Sequence, residues 1–169
     1  VCSSDLMVNQ SPFLVVVHPA LPVKVMRDLV ALAKAQPGKL DYGSAGQGSN
    51  VHLSVELLAN MAGIKMTHVP YKGTGQALID LMAGQVQLTI ANILSGLPYA
   101  RSGRMRGLAV TGARRVKAAP EIPTVSESGV PGYEVASWNG WLAHAATPPE
   151  IIAKLNTELV KAARAPDIG

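Results

Sequence analysis

The chain has 169 residues, 48% of them hydrophobic, which is enough apolar material for one ordinary core or for most of a two-lobed protein that has lost a piece. Its 15 Lys and Arg stand against 11 Asp and Glu, a net charge of +4, and it holds only four Tyr, two Trp and one Phe. This composition argues against a disordered tail and against an aromatic-interleaved nucleic-acid surface, and it suits an anionic ligand.

Cys2 is the sole cysteine, which excludes an internal disulfide and a multi-cysteine metal site. No stretch reaches the roughly 18 apolar residues of a membrane span. The N-terminus lacks the basic, apolar and cleavage regions of a signal peptide, so the protein is read either as cytosolic or as missing its start.

Val1 to Gln10 shows no clear period. Phe13 to His18 is a compact apolar run that predicts a buried strand. From Val23 to Ala35, Val25, Met26, Leu29, Leu32 and Ala33 make one helical face opposite Lys24, Arg27, Asp28 and Lys34, and Pro37 and Gly38 end the helix. Leu40 to Gly43 predicts a short strand, followed by a loop of glycine and serine and a helix to about Met61, with Gly63 as its C-terminal cap. A third strand over Lys65 to Tyr71 leads into a second glycine-bearing turn, Lys72 to Gly75. A helix from about Gly75 to Ala83 follows, with Thr74 as its N-cap and Gly84 past its end.

Val86, Leu88 and Ile90 alternate with Gln87 and Thr89 at strand period. Ser95 to Ser102 reads as helix and Met105 to Thr111 as strand. Ala118 to Gly132 is broken by proline and glycine, with a short helix near Thr124 to Ser128. Tyr133 to Ala143 is extended, and Pro148 and Pro149 open a helix ending near Pro166 whose buried face is Ile151, Ile152, Leu155, Leu159 and Val160. Alternation of helix and strand favours an α/β fold with a mostly parallel sheet.

Ligands of open α/β sheets sit outside the carboxyl ends of the strands, where both glycine-bearing turns fall. A helix N-terminus there carries unused N–H groups and partial positive charge, which hold a small anion without a catalytic side chain. Ser44, Ala45, Gly46, Gly48, Ser49 and Asn50 therefore become candidates, mainly through backbone N–H groups, with the Ser44 and Ser49 hydroxyls as extra donors. The competing reading is a plain loop with Ser49 or Asn50 capping the helix. The loop has neither the Gly-Lys-Ser/Thr of a Walker loop nor the GxGxxG spacing.

His52, Glu56 and Asn60 share a helix face at four-residue spacing. With no second ligand pair, that face reads as half-exposed, His52 supporting the loop from behind. His18, His68 and His144 are isolated and read as structural. Lys72 can neutralise a carboxylate, Tyr71 offers a phenolic donor beside it, and Asn92 offers an amide at a strand end, although each also fits an ordinary turn. No GxSxG elbow and no Ser, His and Asp set is present, so the reading is a binding protein and not an enzyme, with no metal and no cofactor.

The blocks YGSAGQGSNVHLSVELLANMAG, HVPYKGTGQALIDLMAGQV, GRMRGLAVTGARR and PEIPTVSESGVPGYEVASWNGWLAHAATP, in that order, resemble the solute-binding proteins of tripartite tricarboxylate transporters, also called Bug proteins. The resemblance runs from about Gln10 to Asp167. It implies an exported periplasmic protein of the Venus-flytrap type, a type II-like periplasmic-binding-protein fold that closes over a small mono-, di- or tricarboxylate and delivers it to membrane permease subunits. In that family, main-chain amides, hydroxyls and ordered waters hold the carboxylate between the lobes. The ligand loop maps onto Gly43 to Asn50 with His52 after it, and the turn onto Tyr71, Lys72, Gly73 and Thr74.

The same resemblance implies a fragment lacking the signal peptide and a first-lobe segment of about a hundred residues. Residues 1–18 then end lobe one and cross over, 19–91 form lobe two nearly complete, and 92–169 return to a partial lobe one. Such a fragment is expected to expose apolar surface and to bind poorly alone, and the full-length protein to be a monomer with no nucleic-acid partner. Val1 to Leu6 does not match the family. Asn92 stands where aspartate is common, Asn139 where an aromatic is common and His144 where proline is common, which bears on recognition of a ligand amino group and on the cleft lining. The alternatives are a small-anion enzyme using the Gly43 to Asn50 loop as an oxyanion or phosphate cradle, and a sensor lobe of a signalling protein.

Overall fold

The computed structural model describes residues 6–141 and 143–163. They divide into two compact units: Ser11–Ala136, and the flanking chain Val1–Gln10 with Ser137–Gly169 as far as it is described. The element order is β1 (Leu6–Val17), α1 (Met26–Ala35), β2 (Asp41–Ser44), α2 (Asn50–Ala62), β3 (Thr67–Pro70), α3 (Thr74–Met82), β4 (Leu88–Asn92), α4 (Ile93–Arg101), β5 (Arg106–Val110), β6 (Ala136–Trp141) and α5 (Pro149–Ala163).

The larger unit is built on a sheet in the order β3-β2-β4-β1-β5. Strand β2 pairs parallel with β3 and β4, whereas β1 pairs antiparallel with both β4 and β5. The sheet is therefore mixed: β3, β2, β4 and β5 run the same way, as expected of a mostly parallel sheet, and β1 alone is reversed. Helix–strand alternation reports the parallel β2, β3 and β4 correctly, but β1 precedes that run and enters the sheet in the opposite sense.

Strand β1 explains why the sheet is covered on both sides. Phe13, Val15 and Val17 face one core with Met26, Leu29, Tyr42, Val55 and Leu58, so α1 and α2 cover that side. Leu14 and Val16 face the other with Leu78, Leu81 and Ile93, so α3 and α4 cover it. A strand buried on both faces reads as a continuous apolar run, and this one is fully buried from Leu14 to Val17.

Several boundaries differ from expectation. Helix α1 starts three residues later than Val23, because Asp28 Oδ2 accepts the Lys24 and Val25 N–H groups at 2.8 and 3.1 Å and Arg106 holds the Leu21 and Val23 carbonyls of the irregular segment before it. Helix α2 ends on Gly63 in the left-handed region, φ +63°, as its sequence predicts. Thr74 is not the cap of α3 but its first residue; Gly73 takes the cap position with no side-chain hydrogen bond. Helix α4 begins at Ile93, not near Ser95, because Asn92 Oδ1 accepts the Leu94 N–H at 3.0 Å directly at the end of β4.

Thr124 to Ser128 forms turns, not a helix. Thr124 and Glu127 do exchange reciprocal hydrogen bonds, Thr124 N–H to Glu127 Oε2 at 2.8 Å and Glu127 N–H to Thr124 Oγ1 at 3.0 Å. That is a helix-starting arrangement, but Gly129 at φ +114° and Pro131 stop it after one turn.

In the flanking unit β6 pairs with β1, so Leu6 to Gln10, unpatterned in sequence, are strand. Of the α5 face expected to be buried, Ile151 and Leu155 are 47% and 49% exposed and Val160 is exposed, whereas Ile152 and Leu159 are half-buried. The larger unit also holds α4 and β5. Asn139 and Pro166 lie outside the described side chains and residues.

Candidate functional site

Because β2, β3 and β4 are parallel, their carboxyl ends at Ser44, Pro70 and Asn92 fall on one edge of the sheet, and α2, α3 and α4 all begin there. Phe13 of β1 pairs with Asn92 at the same edge. Three helix N-termini thus converge, one more than the two glycine-bearing turns predict. Their aligned peptide dipoles make this edge the natural place for an anion.

At the first junction the loop is folded upon itself. Gly46 and Gly48 adopt φ +114° and +77°, conformations that glycine permits. Ser44 is fully buried, its Oγ 2.6 Å from His68 Nε2 and 3.1 Å from both the N–H and the carbonyl of Gly46. Gly48 N–H donates to His52 Nδ1 at 3.1 Å, Ser49 N–H to the Gly46 carbonyl at 3.2 Å, and Ser49 Oγ accepts the His52 N–H at 3.3 Å. The Ser44 hydroxyl and the Gly46, Gly48 and Ser49 amides, expected to face a ligand, therefore spend these hydrogen bonds on the loop. Ser49 is the helix cap, and Asn50 is exposed, with its carbonyl taken by Ser54 Oγ. Ala45 sits half-buried at the loop entrance.

The second junction is more open. Tyr71 donates its hydroxyl to Asp80 Oδ2 at 2.8 Å, and burial with this carboxylate contact pushes its pKa up to about 12, so the phenol is a fixed donor to α3. Lys72 is exposed. With Gly73 as cap and no side-chain acceptor, the first-turn N–H groups starting at Thr74 are the uncapped set among the three junctions. Gly43 lets α3 come this close, because a Cβ there would lie 3.0 Å from Ala77 Cβ and 3.2 Å from Tyr71 Cε2. At the third junction Asn92 spends Oδ1 on its own helix, accepting the Leu94 N–H.

Sequence reasoning missed His68. Its ring stacks on Tyr42 at 5.0 Å between centroids and lies tilted against His52 at 4.2 Å, and Tyr42 donates to Glu56 Oε1 at 2.5 Å. Burial first, and the neighbouring His52 second, hold His68 below the usual imidazole pKa, with Glu56 opposing. The signal was the parallel pairing of Tyr42 with His68, visible only once the register is known. The Ser44–His68 contact has the length of a nucleophile–base pair, but a hydroxyl with no exposed surface cannot reach a substrate. Among the described residues no group of three His, Cys, Asp or Glu could hold a metal ion, and no helix is long and apolar enough to cross a membrane.

A mixed five-strand order with one antiparallel strand inside it, and helix N-termini gathered at one edge, defines an α/β binding lobe. Solved structures place it among periplasmic binding proteins. Rpa4515 of R. palustris with adipate matches at a TM-score of 0.89 and 40% identity, covering 99% of this chain and 55% of that one. MatC of Rhodopseudomonas palustris with bound malate matches at 0.86 and 30%, covering 96% and 55%. The periplasmic binding protein BugD matches at 0.83 and 29%, covering 94% and 53%.

Residues 5–169 match the model of the tripartite tricarboxylate transporter family receptor, and the chain belongs to that family. A relative from Pseudomonas sp. (strain P51), a UPF0065 protein in the tcbD-tcbE intergenic region, is 42% identical over 146 residues, 84% of this chain and 44% of the relative. The chain spans about half the length of the relatives it matches.

Proposed function

We propose that this chain is the ligand-gripping part of a periplasmic receptor that captures a small carboxylate and passes it to the permease of a tripartite tricarboxylate-type transporter. The observation that carries this reading is the meeting of three helix N-termini at one sheet edge, one of them, α3, without a side-chain cap. One ligand carboxylate docks on the N–H groups at Gly73 and Thr74, with Lys72 adding charge and the Asn92 amide a further donor. The loop Ser44 to Asn50 shapes the neighbouring wall, His52 and Tyr71 holding it and the turn in place.

Support for a carboxylate comes from the adipate and malate of the related structures. The work is capture by shifting the population toward a closed form, with no bond made or broken. The test is titration calorimetry of this chain and of a full-length relative with acetate, malate, adipate and citrate. Saturable heat in the full-length protein without product supports the reading, and turnover of any of these ligands overturns it.

A further inference from the structure

We propose that His52, packed against His68, is a proton-operated latch, which holds the Ala45–Ser49 loop in its observed shape when the His52 ring is neutral and releases it when that ring charges. The latch itself is a property of the loop; only its effect on ligand affinity rests on the carboxylate-binding reading above.

The geometry fixes one tautomer. A backbone N–H can only donate, so the 3.1 Å contact from Gly48 to His52 requires an unprotonated Nδ1. A proton at that atom sets two donors against each other, and the Gly48 amide must turn away. The amide belongs to a glycine at φ +77°, with no atom within 4 Å of where its Cβ would lie, so the loop has room to move there. His68 holds the other end of the loop, through the 2.6 Å contact to Ser44 Oγ and from there to Gly46. The two holding points are coupled because the rings lie 4.2 Å apart between centroids. Charging one raises the cost of charging the other.

The groups facing the pair are few. From α2 comes Glu56, and from β2 Tyr42, which lies 6.4 Å from the His52 ring and 5.0 Å from the His68 ring. Tyr42 is kept un-ionised by burial and by its bond to Glu56, so it contributes no charge. Glu56 attracts a protonated imidazole, but one of its oxygens is already bound at 2.5 Å by the Tyr42 hydroxyl. It therefore softens the repulsion between the rings without replacing the acceptor that Gly48 loses. Imidazole is the side chain that takes up a proton in mild acid, so acidification is what releases the latch.

The test is an amide and imidazole NMR titration of the chain without ligand, from about pH 8 to about pH 5. The Gly48 amide resonance is expected to move together with the His52 ring protons and to lose its protection from solvent exchange at the acid end. His52→Asn places a non-titrating acceptor near the Nδ1 position, so in that variant the Gly48 amide stays protected across the titration. A wild-type Gly48 amide that stays put while the His52 ring titrates overturns the latch, and so does an H52N chain that responds to acid as wild type does. The wild-type arm decides alone if the variant does not fold. Calorimetry with acetate, malate, adipate and citrate on a full-length relative forms a separate arm: absence of binding of all four at every pH removes the carboxylate reading, and the Gly48 titration still decides whether the latch exists.

Discussion

Tyr71 and Asp80 are joined by a 2.8 Å hydrogen bond that ties the turn after β3 to the last turn of α3. The turn carries Lys72 and Gly73, so this bond fixes the turn beside the uncapped start of α3. Tyr71→Phe removes one hydrogen bond of a part-buried pair, and about 0.5–1.5 kcal/mol of stability is expected to be lost. Carboxylate affinity, measured by calorimetry in the full-length protein, falls with it. The pH dependence follows from the pKa of about 12. A phenol whose folded value lies above its ordinary value of about 10 contributes stability that is intact below pH 10 and lost as pH rises toward 12. Denaturation midpoints at alkaline pH should show this fall in wild type and less of it in Y71F.

Gly43 faces a different constraint. It is needed for space, since a methyl there meets Ala77 Cβ at 3.0 Å, and Ala77 cannot swing aside as the end of a long side chain can. Gly43→Ala must push α3 away from β2. Overpacking of this kind costs about 1–3 kcal/mol, which urea denaturation at constant m-value would register.

Gly48 and Gly38 provide a matched pair. They have φ of +77° and +73°, and at neither does any atom lie within 4 Å of the place a Cβ would take. Alanine at either should destabilise by about 1–2 kcal/mol through backbone strain alone. Only Gly48 lies in the ligand-edge loop. Affinity is expected to drop in G48A and to be retained in G38A, and equal affinities in the two variants would detach the loop from binding.

His68 makes acid stability asymmetric. Its folded pKa is depressed by burial and by His52, so the unfolded chain takes up a proton first as pH falls. Stability is thus complete above the ordinary imidazole range of about 6.5 and declines below it until the folded ring also charges. H52N removes one cause of the depression, and the His68 midpoint, read from its ring protons, is expected to rise. A midpoint that falls would show that His52 stabilises the charged form.

Local patterns carried much of this architecture. The i, i+4 apolar face of α1, the Gly63 cap of α2 and the alternation through Leu88 and Ile90 each depend on residues within one element, where sequence distance and spatial distance agree. The glycine-bearing loops were legible for the same reason, since a positive φ is a demand of the backbone itself. Thr124 to Ser128 shows the limit: its side chains form a helix-starting pair, yet the next glycine and proline decide the outcome. The start of α4 was hidden because Asn92 ends a strand and caps a helix at once.

By itself, then, the chain's sequence determined most of the helices and strands, Leu6–Gln10 and Thr124–Ser128 apart, and that glycine-rich turns precede α2 and α3. Tertiary structure decided what those turns do. The register that sets Tyr42 beside His68 brings two histidines from separate elements into contact, turns Ser44 inward and leaves the start of α3 as the open junction. Pairing between strands joins residues far apart along the chain, and no local period records which of them will meet.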